Sequence, residues 1–290
     1  MKSFRTYLKD ELLVVIWNVQ HGSAVLIRTP NGKIILVDLG KCVHPKDSNK
    51  KFSPIDHIKK RYRISTIDLV VVSHPHYDHF EDILELRKVE VKRFITPTHI
   101  PRKLVLSGVR KSALSQFKEY LRLRSRSAVP KAMNIDGILL QFFVSENVGL
   151  SNLNNHSIVL TLKYQGYKIV IPGDNESSSF TELMRSKRFN NAVRNSNFLI
   201  APHHGRAAGF YEPFLEVAKP ELTIISDGKK TETNARTNYS KLSSGVVVLS
   251  KKGEPFVNKR KTLVTKKDGA VSIRIGKDNK GKERARIKLS

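Results

Sequence analysis

The sequence predicts an α/β protein in which two β-sheets pack against each other between layers of helices, a four-layer αββα sandwich. Short apolar runs rich in β-branched residues recur along both halves of the chain, and helical segments lie between them. Hydrophobic residues make up 39% of the 290 positions, which is enough to fill a sizeable core. We therefore predict one large domain over residues 1–275, followed by a basic and mobile tail over residues 276–290.

The first half of the chain contains four predicted strands and two predicted helices. Three of the strands are residues 12–17, 24–27 and 33–38, and the turn signal Pro30-Asn31-Gly32 separates the second from the third. The fourth, residues 67–73, is continuously apolar, as expected of a strand covered on both faces. Apolar residues repeat with helical spacing over 112–124 and leave Lys118, Arg122 and Arg124 on the other face. A short helix is expected at 82–86.

The second half repeats this plan. Strands are predicted at 137–144, 157–162, 168–172, 197–201 and 222–226, and helices at 180–185 and 211–218. The last strand-like stretches are 245–249 and 271–275. Clusters of strands with helices interposed are typical of the layered sandwich.

The cysteine content and the amino terminus indicate a cytoplasmic protein. Cys42 is the only cysteine, which excludes an intramolecular disulfide and any zinc site built from several cysteines. The apolar run 12–17 is far too short for a signal peptide or a membrane span. We expect no membrane partner.

Four side chains that can bind metal lie within six residues at the end of the predicted strand 67–73: His74, His76, Asp78 and His79. In a tight loop, two of them can converge on one cation and two on another. Imidazole with carboxylate suits Zn²⁺ or Mn²⁺, so the pattern predicts a centre of two divalent metal ions. The competing interpretation is a loop of surface histidines, which fits a single histidine better than this set.

This H-x-H-x-D-H motif after a hydrophobic strand resembles the signature of the metallo-β-lactamase-fold hydrolases. Further segments are similar, in combination, to the metallo-hydrolase domain of the ComEC competence proteins and their stand-alone relatives. They are residues 16–27, 30–38, 154–160, 171–174 and 201–205, and the similarity extends over most of residues 12–275. The resemblance implies the metallo-β-lactamase type of αββα sandwich and a metal-dependent hydrolase.

The resemblance also implies further metal ligands. Asp174 would bridge the two metal ions, although taken alone it is better explained as an ordinary turn aspartate. His203 is preferred over His204 as the last ligand, and the remaining one would support a ligand or face a phosphate. Asp78 and His204 would then have catalytic roles.

Two positions stay open under the same resemblance. His156 stands where many relatives have asparagine, so His156, Asn155 or water could complete the site. Asp38, at a strand end, would either hold a ligand imidazole or cap its strand.

One segment departs from the ComEC-like pattern. Those domains usually carry Gly-His-Pro after the strand that corresponds to 222–226, whereas residues 227–239 contain no histidine. Lys229 or Arg236 could contact a phosphate oxygen in its place. The alternative is a plain basic loop.

The charge indicates the partner. The chain has 52 Lys and Arg against 26 Asp and Glu, a net charge of +26, concentrated in residues 87–132 and 251–290. Clustered cations release counterions from a nucleic-acid backbone and so bind it without sequence preference. Arg122, Arg124 and Arg126 are predicted to contact phosphates, together with the tail. A solvated basic surface without such a role is the alternative.

We therefore predict a nuclease, a two-metal phosphodiesterase acting on nucleic acid, with DNA favoured over RNA, in DNA processing or defence against foreign DNA. Two other functions stay open. One is hydrolysis of a small phosphorylated or ester substrate. The other is a non-catalytic nucleic-acid-binding subunit.

Overall fold

The computed structural model describes residues 10–43, 51–227 and 235–290. The strands in these ranges are β1 Leu12–Ile16, β2 Ala24–Arg28, β3 Ile34–Leu39, β4 Cys42–Val43, β5 Lys51–Phe52, β6 Thr66–Ile67, β7 Leu69–Val71, β8 Glu90–Val91, β9 Phe94–Ile95, β10 Ala132–Ile135, β11 Ile138–Phe143, β12 Val159–Tyr164, β13 Tyr167–Ile171, β14 Phe198–Ile200, β15 Leu222–Ile225, β16 Val248–Leu249, β17 Thr262–Val264, β18 Val271–Lys277 and β19 Glu283–Leu289. The α-helices are α1 Pro54–Tyr62, α2 Arg102–Val105, α3 Leu114–Arg124, α4 Ser177–Leu183, α5 Lys187–Val193, α6 Glu212–Ala218, α7 Arg236–Leu242 and α8 Thr265–Asp268.

Two large sheets form the centre of the molecule. One has eight strands in the order β16-β19-β18-β1-β2-β3-β7-β9, and the other has seven in the order β10-β11-β12-β13-β14-β15-β17. Apolar side chains of both sheets meet in one cluster between them, including Val14, Val71, Leu160 and Ile200. The predicted αββα sandwich is confirmed.

The outer face of each sheet is covered by helices. On the eight-stranded sheet, Ile58 of α1 and Phe117 of α3 pack with strand residues such as Leu36. On the seven-stranded sheet, Phe180 of α4 and Phe214 of α6 stack with ring centroids 4.3 Å apart. Helices on both outer faces leave only the ends of the strands open to form a site.

Strand direction determines where the connecting loops meet. Strands β3, β7 and β9 are mutually parallel, and so are β13, β14, β15 and β17. The carboxyl ends of neighbouring parallel strands lie at one edge of a sheet, which is where open α/β sheets bind ligands. The loops after β7, β13 and β14 leave from this edge in their respective sheets.

The prediction of a mobile tail was wrong. Residues 276–290 form the end of β18 and all of β19, which pairs antiparallel with β18. Asp278 closes the connecting turn by accepting hydrogen bonds from the backbone N–H groups of Lys280 and Lys282, at 2.9 and 3.0 Å. Ile287 and Leu289 alternate with polar residues and are buried, so the apolar positions, rather than the net charge, determine the structure of this segment.

The predicted helix 82–86 is a 3-10 segment, Ile83–Lys88. Among the described residues, no helix has both the length and the apolar character needed to cross a membrane.

Candidate metal centre

The first group of candidate ligands follows β7. His74 and His79 are fully buried, and the chain makes a 3-10 turn over Tyr77–His79 that brings Asp78 beside them. Two glycines from other loops pack closely against this turn. A Cβ on Gly22 would lie 2.5 Å from the backbone oxygen of Asp78, and one on Gly40 would lie 2.7 Å from it. Only glycine permits such close packing, which fixes the position of the turn.

The second group follows β13 and consists of Asp174. Gly173 has a φ of +59°, which turns the chain toward the β7 loop. The N–H of Asp174 donates to Oγ of Ser157 at 3.1 Å. The Oδ2 atom of Asp174 lies 3.3 Å from Nε2 of His79 and 4.0 Å from Nε2 of His74. The structure therefore brings together ligand candidates from both sheets.

The third group follows β14. His203 and His204 have φ values of 47° and 55°, and Gly205 follows at +73°, so three consecutive residues are left-handed. Backbone strain of this kind is often found at functional sites. It directs Nε2 of His204 to within 3.2 Å of Oδ2 of Asp78 and 3.3 Å of Oδ2 of Asp174.

His203 is not among the four residues whose ligand atoms converge, so the geometry favours His204 over the expected His203 as the last ligand. Its Nδ1 lies 3.0 Å from Oε1 of Glu176, and its Nε2 lies 3.3 Å from Nη1 of Arg206. The sequence offered no sign of which side chain the left-handed turn would direct inward.

Four of these residues satisfy the geometric requirement for a metal site. The ligand atoms of Asp78, His79, Asp174 and His204 all lie within 4.8 Å of one another. The buried Nε2 atoms of His79 and His204 have no hydrogen-bond partner among the described residues, and the same holds for Nε2 of His74. Imidazole nitrogens that converge with carboxylate oxygens are the donor set that Zn²⁺ and Mn²⁺ accept.

The carboxylates of the cluster attract positive charge. Burial opposes ionisation of Asp174, but the charges of His204 and His79 outweigh it and hold the pKa of Asp174 well below its usual range. Burial likewise disfavours a charged His204, yet Asp174 and Asp78 raise the pKa of His204 to about 10. Burial lowers the pKa of His74 well below its ordinary value, which leaves that ring neutral and able to donate a lone pair.

Asp38 holds one imidazole in position. Its Oδ2 lies 2.8 Å from Nδ1 of His79, and its Oδ1 accepts a 2.8 Å hydrogen bond from the backbone N–H of Ser73. Of the two roles considered for Asp38, the structure has it contact a ligand imidazole. A carboxylate on Nδ1 is the usual partner of a metal-binding histidine and turns Nε2 toward the ion.

Comparisons with known proteins agree with this fold. Residues 36–137 match the model of the β-lactamase superfamily domain. A stretch of 49 residues is 35% identical to a protein of Sulfurisphaera tokodaii described as a metal-dependent hydrolase, and it covers 17% of this chain and 22% of that protein. The fold, the motif and these matches support a metal-dependent hydrolase of the metallo-β-lactamase superfamily.

Two solved structures are similar in fold to this chain. One, from Thermotoga maritima, is described as a Zn-dependent hydrolase of the metallo-β-lactamase superfamily; it is 13% identical with a TM-score of 0.44, over 87% of this chain and 97% of that chain. The other is CmlA, a diiron β-hydroxylase from Streptomyces venezuelae, which is 15% identical with a TM-score of 0.47, over 76% of this chain and 45% of that chain.

The structure does not bring His156 into the cluster. Nδ1 of His156 lies 3.1 Å from the Ser145 carbonyl oxygen and 2.9 Å from Nε2 of His99. Asn155 is also occupied, because its Oδ1 accepts a 2.9 Å hydrogen bond from Oγ of Ser179. The ring of His156 and the amide of Asn155 both have partners outside the cluster, so neither of these two candidates completes the ligand set.

Two of the proposed phosphate-binding arginines on α3 have structural partners. Arg122 forms a 2.7 Å ion pair with the buried Glu119. Arg124 donates to the carbonyl oxygens of Pro97, Thr98 and Ile100. Apolar packing of α3 brings these side chains to acceptors within the fold, and their contact with phosphate stays a prediction.

The other cations predicted to bind nucleic acid differ in their surroundings. Arg126 is exposed just beyond α3. Arg236 begins α7 next to the site, since the preceding N–H, of Ala235, donates to the Gly205 oxygen at 2.9 Å. Lys229 lies outside the described residues.

Two residues at the edge of the cluster were missed by the sequence reasoning. His21 is half-exposed, and its Nε2 lies 3.4 Å from Oδ2 of Asp78. Nη1 of Arg206 lies 3.3 Å from Nε2 of His203. Burial is the main cause that lowers the pKa of His21, and the nearby charges of His204 and Arg206 lower it further. The signal for both was available, since His21 lies within the similar segment 16–27 and Arg206 directly follows the similar segment 201–205.

Proposed function

We propose that this hydrolase is a metal-dependent phosphodiesterase that cleaves nucleic acid, with DNA favoured over RNA. The observation that carries the proposal is the set of Asp78 and the buried His79, Asp174 and His204, whose ligand atoms lie within 4.8 Å of one another. The net charge of +26 supports a polyanionic substrate. The resemblance to ComEC domains favours DNA, and a role in DNA processing or defence is part of the proposal.

The same residues would hold two divalent ions. One would lie among Asp78, His79, Asp174 and His204. His74 and His76, whose ring centroids are 4.5 Å apart, would hold the second. Bound divalent ions act as Lewis acids toward a phosphoryl oxygen and lower the pKa of coordinated water.

The chain supplies orientation and positive charge around that centre. Asp38 and Ser73 hold the motif loop and keep Nε2 of His79 directed inward. His21 and Arg206 lie at the exposed side of the cluster, where they would hydrogen-bond phosphoryl oxygens and stabilise the charge that develops in the transition state. Glu176 fixes His203 beside them through a 3.0 Å contact.

The test is cleavage of end-labelled single- and double-stranded DNA and RNA by protein loaded with Zn²⁺ or Mn²⁺. We expect cleavage of nucleic acid that chelation abolishes. Asp174→Asn, which keeps the volume of the side chain but removes its charge, should lose the activity while remaining folded. Asp68→Asn, at the opposite edge of the sheet, serves as the matched control and should keep it.

The alternative functions predict different results. Hydrolysis of small phosphorylated or ester compounds without any cleavage of nucleic acid would favour a small-molecule hydrolase. Metal-independent binding of nucleic acid without turnover of either substrate class would favour a non-catalytic subunit.

A further inference from the structure

A second group of cations lies beside the candidate metal centre, inside the basic stretch 87–132 but among residues that the sequence analysis did not name. We call residues 101–111 the basic segment. It carries Arg102, Lys103, Arg110 and Lys111, all exposed. The surrounding chain has no acidic residue between Glu90 and Glu119. Among the described residues, none of the four cations has an ion pair within 4.0 Å, so their charge faces solvent.

The topology brings this segment to the edge that holds the metal cluster. It follows β9, which runs parallel to β7, and the motif loop follows β7. Because both strands end at the same edge of the sheet, the loops that follow them are neighbours there.

Contacts at both ends of the basic segment attach it to the candidate site. Before it, Nε2 of His99 lies 2.9 Å from Nδ1 of His156, and His156 directly precedes Ser157, which bonds the N–H of Asp174. After it, Nε2 of Gln116 donates to the Tyr77 hydroxyl at 3.4 Å, and Tyr77 lies within the metal-binding motif. The segment therefore lies alongside the metal-binding loop.

The backbone under these cations is well supported. Arg124 donates to three carbonyl oxygens of the loop that leads into α2. Ile100 and Val105 are buried in the apolar cluster between the eight-stranded sheet and the helices that cover it. Because this backbone is already held, only the side chains need to become ordered when they bind a charged strand, which lowers the entropic cost of binding.

On the basis of the proposed function, we propose that the basic segment binds the phosphate backbone of the nucleic-acid substrate and leads the strand to the metal cluster. Four uncompensated cations within ten residues match the repeated charge of a nucleic-acid strand. Their position at the strand edge, beside the cluster rather than in it, assigns them to binding rather than to the chemical step.

The experiment compares the variant Arg102→Ala/Lys103→Ala/Arg110→Ala/Lys111→Ala with a control that removes the same charge elsewhere. Arg61, Arg93, Lys163 and Arg194 are exposed and lie at the opposite edge, where the parallel strands begin. Their fourfold alanine variant is the control. Fluorescence anisotropy measures binding of labelled phosphorothioate DNA, which resists cleavage, between 50 and 200 mM salt. Hydrolysis of bis(p-nitrophenyl) phosphate with Mn²⁺ reports on the metal centre.

We expect the basic-segment variant to bind duplex DNA with a salt slope shallower by about 3.6 if all four side chains contact phosphate, and by about 2.8 on a single strand. Over a fourfold rise in salt, a slope difference of this size for duplex DNA corresponds to roughly 150-fold in affinity. The control variant should retain the wild-type slope, and both variants should hydrolyse the small diester at the wild-type rate.

Two results would overturn the assignment while leaving the proposed function intact. One is an equal change of slope in both variants. The other is wild-type DNA binding by the basic-segment variant in a protein that cleaves DNA. If the wild-type protein neither binds nor cleaves any nucleic acid, the proposed function itself fails. Binding to phosphatidylserine vesicles through this segment, without binding to DNA, would assign the surface to lipid and overturn the proposal.

Discussion

Nδ1 of His79 lies 2.8 Å from Oδ2 of Asp38, deep in the protein and at the end of the strand next to the motif loop. Asp38 itself has a φ of +59°, a conformation that few residues other than glycine adopt without help. Its second oxygen accepts from the backbone N–H of Ser73, which starts the motif loop. The strained aspartate thus orients both a candidate ligand and the loop that carries it.

The first prediction concerns this contact. Asp38→Asn should weaken Zn²⁺ affinity by about 10- to 100-fold, because a ligand imidazole loses its carboxylate partner. Asparagine tolerates the left-handed conformation and can still accept from Ser73, so the fold should persist. Competition with a chromophoric chelator measures the affinity. The control is Asp68→Asn. The carboxylate of Asp68 accepts from the N–H of Ile34 at the far edge of the sheet, so this variant should leave the Zn²⁺ affinity unchanged.

The second prediction separates the two histidines after β14. His204→Asn should lower metal affinity by at least tenfold, because Nε2 of His204 lies 3.2 Å from Asp78 and 3.3 Å from Asp174. His203→Asn should leave metal affinity within about threefold of wild type, since that ring faces Glu176 and Arg206. Asparagine suits the left-handed backbone at both positions. Equal losses in the two variants would argue against the assignment of His204 to the cluster.

A third prediction concerns pH and the role of Arg122. Side-chain hydrogen bonds from Arg122 outweigh burial and, with those from Arg87, lower the pKa of Glu119 to about 2. The stabilisation from this depressed pKa is therefore present above pH 4.5 and is lost as the pH falls toward 2. Glu119→Gln should cost about 1 to 3 kcal/mol at pH 7, and less at pH 3, in urea unfolding. A cost independent of pH would mean that packing, rather than charge, accounts for the effect.

The fourth prediction tests whether the carboxyl-terminal segment belongs to the sheet. Ile287 is 3% exposed and pairs in register with Ile273 of β18. Ile287→Ala should destabilise the protein by about 2 to 5 kcal/mol, as for other buried aliphatic truncations. Arg286→Ala, at the exposed neighbouring position, should change stability by less than about 0.5 kcal/mol. Thermal and urea unfolding would show similar small effects for both variants if the segment were not packed.

Much of the fold could be predicted from the sequence. Strand patterns are local, so the strand predicted at 168–172 is found at Tyr167–Ile171 and the one at 222–226 at Leu222–Ile225. The motif that begins at His74 could be recognised because its ligands are adjacent in the chain. The segment 283–289 was missed because its charges obscure an alternation of apolar residues that becomes meaningful only when β18 pairs with it.

The details of the site could not be predicted in the same way. Which of His203 and His204 faces the cluster depends on backbone angles set by a three-residue left-handed turn. Whether an arginine is available to a partner depends on contacts distant in sequence, such as those of Arg124 with the loop before α2. The importance of the basic segment likewise depends on β9 ending beside β7, which composition does not reveal.

The central claim is that the cluster around Asp174 binds divalent metal, and elemental analysis tests it most directly. The wild-type protein and Asp174→Ala are dialysed to equilibrium against Zn²⁺ or Mn²⁺, and the metal-to-protein ratio is measured. Up to two ions should bind per wild-type chain, at least one fewer should bind to the variant, and added metal should raise the thermal stability of the wild type. Absence of bound metal, together with a melting temperature that added metal leaves unchanged, would contradict the account.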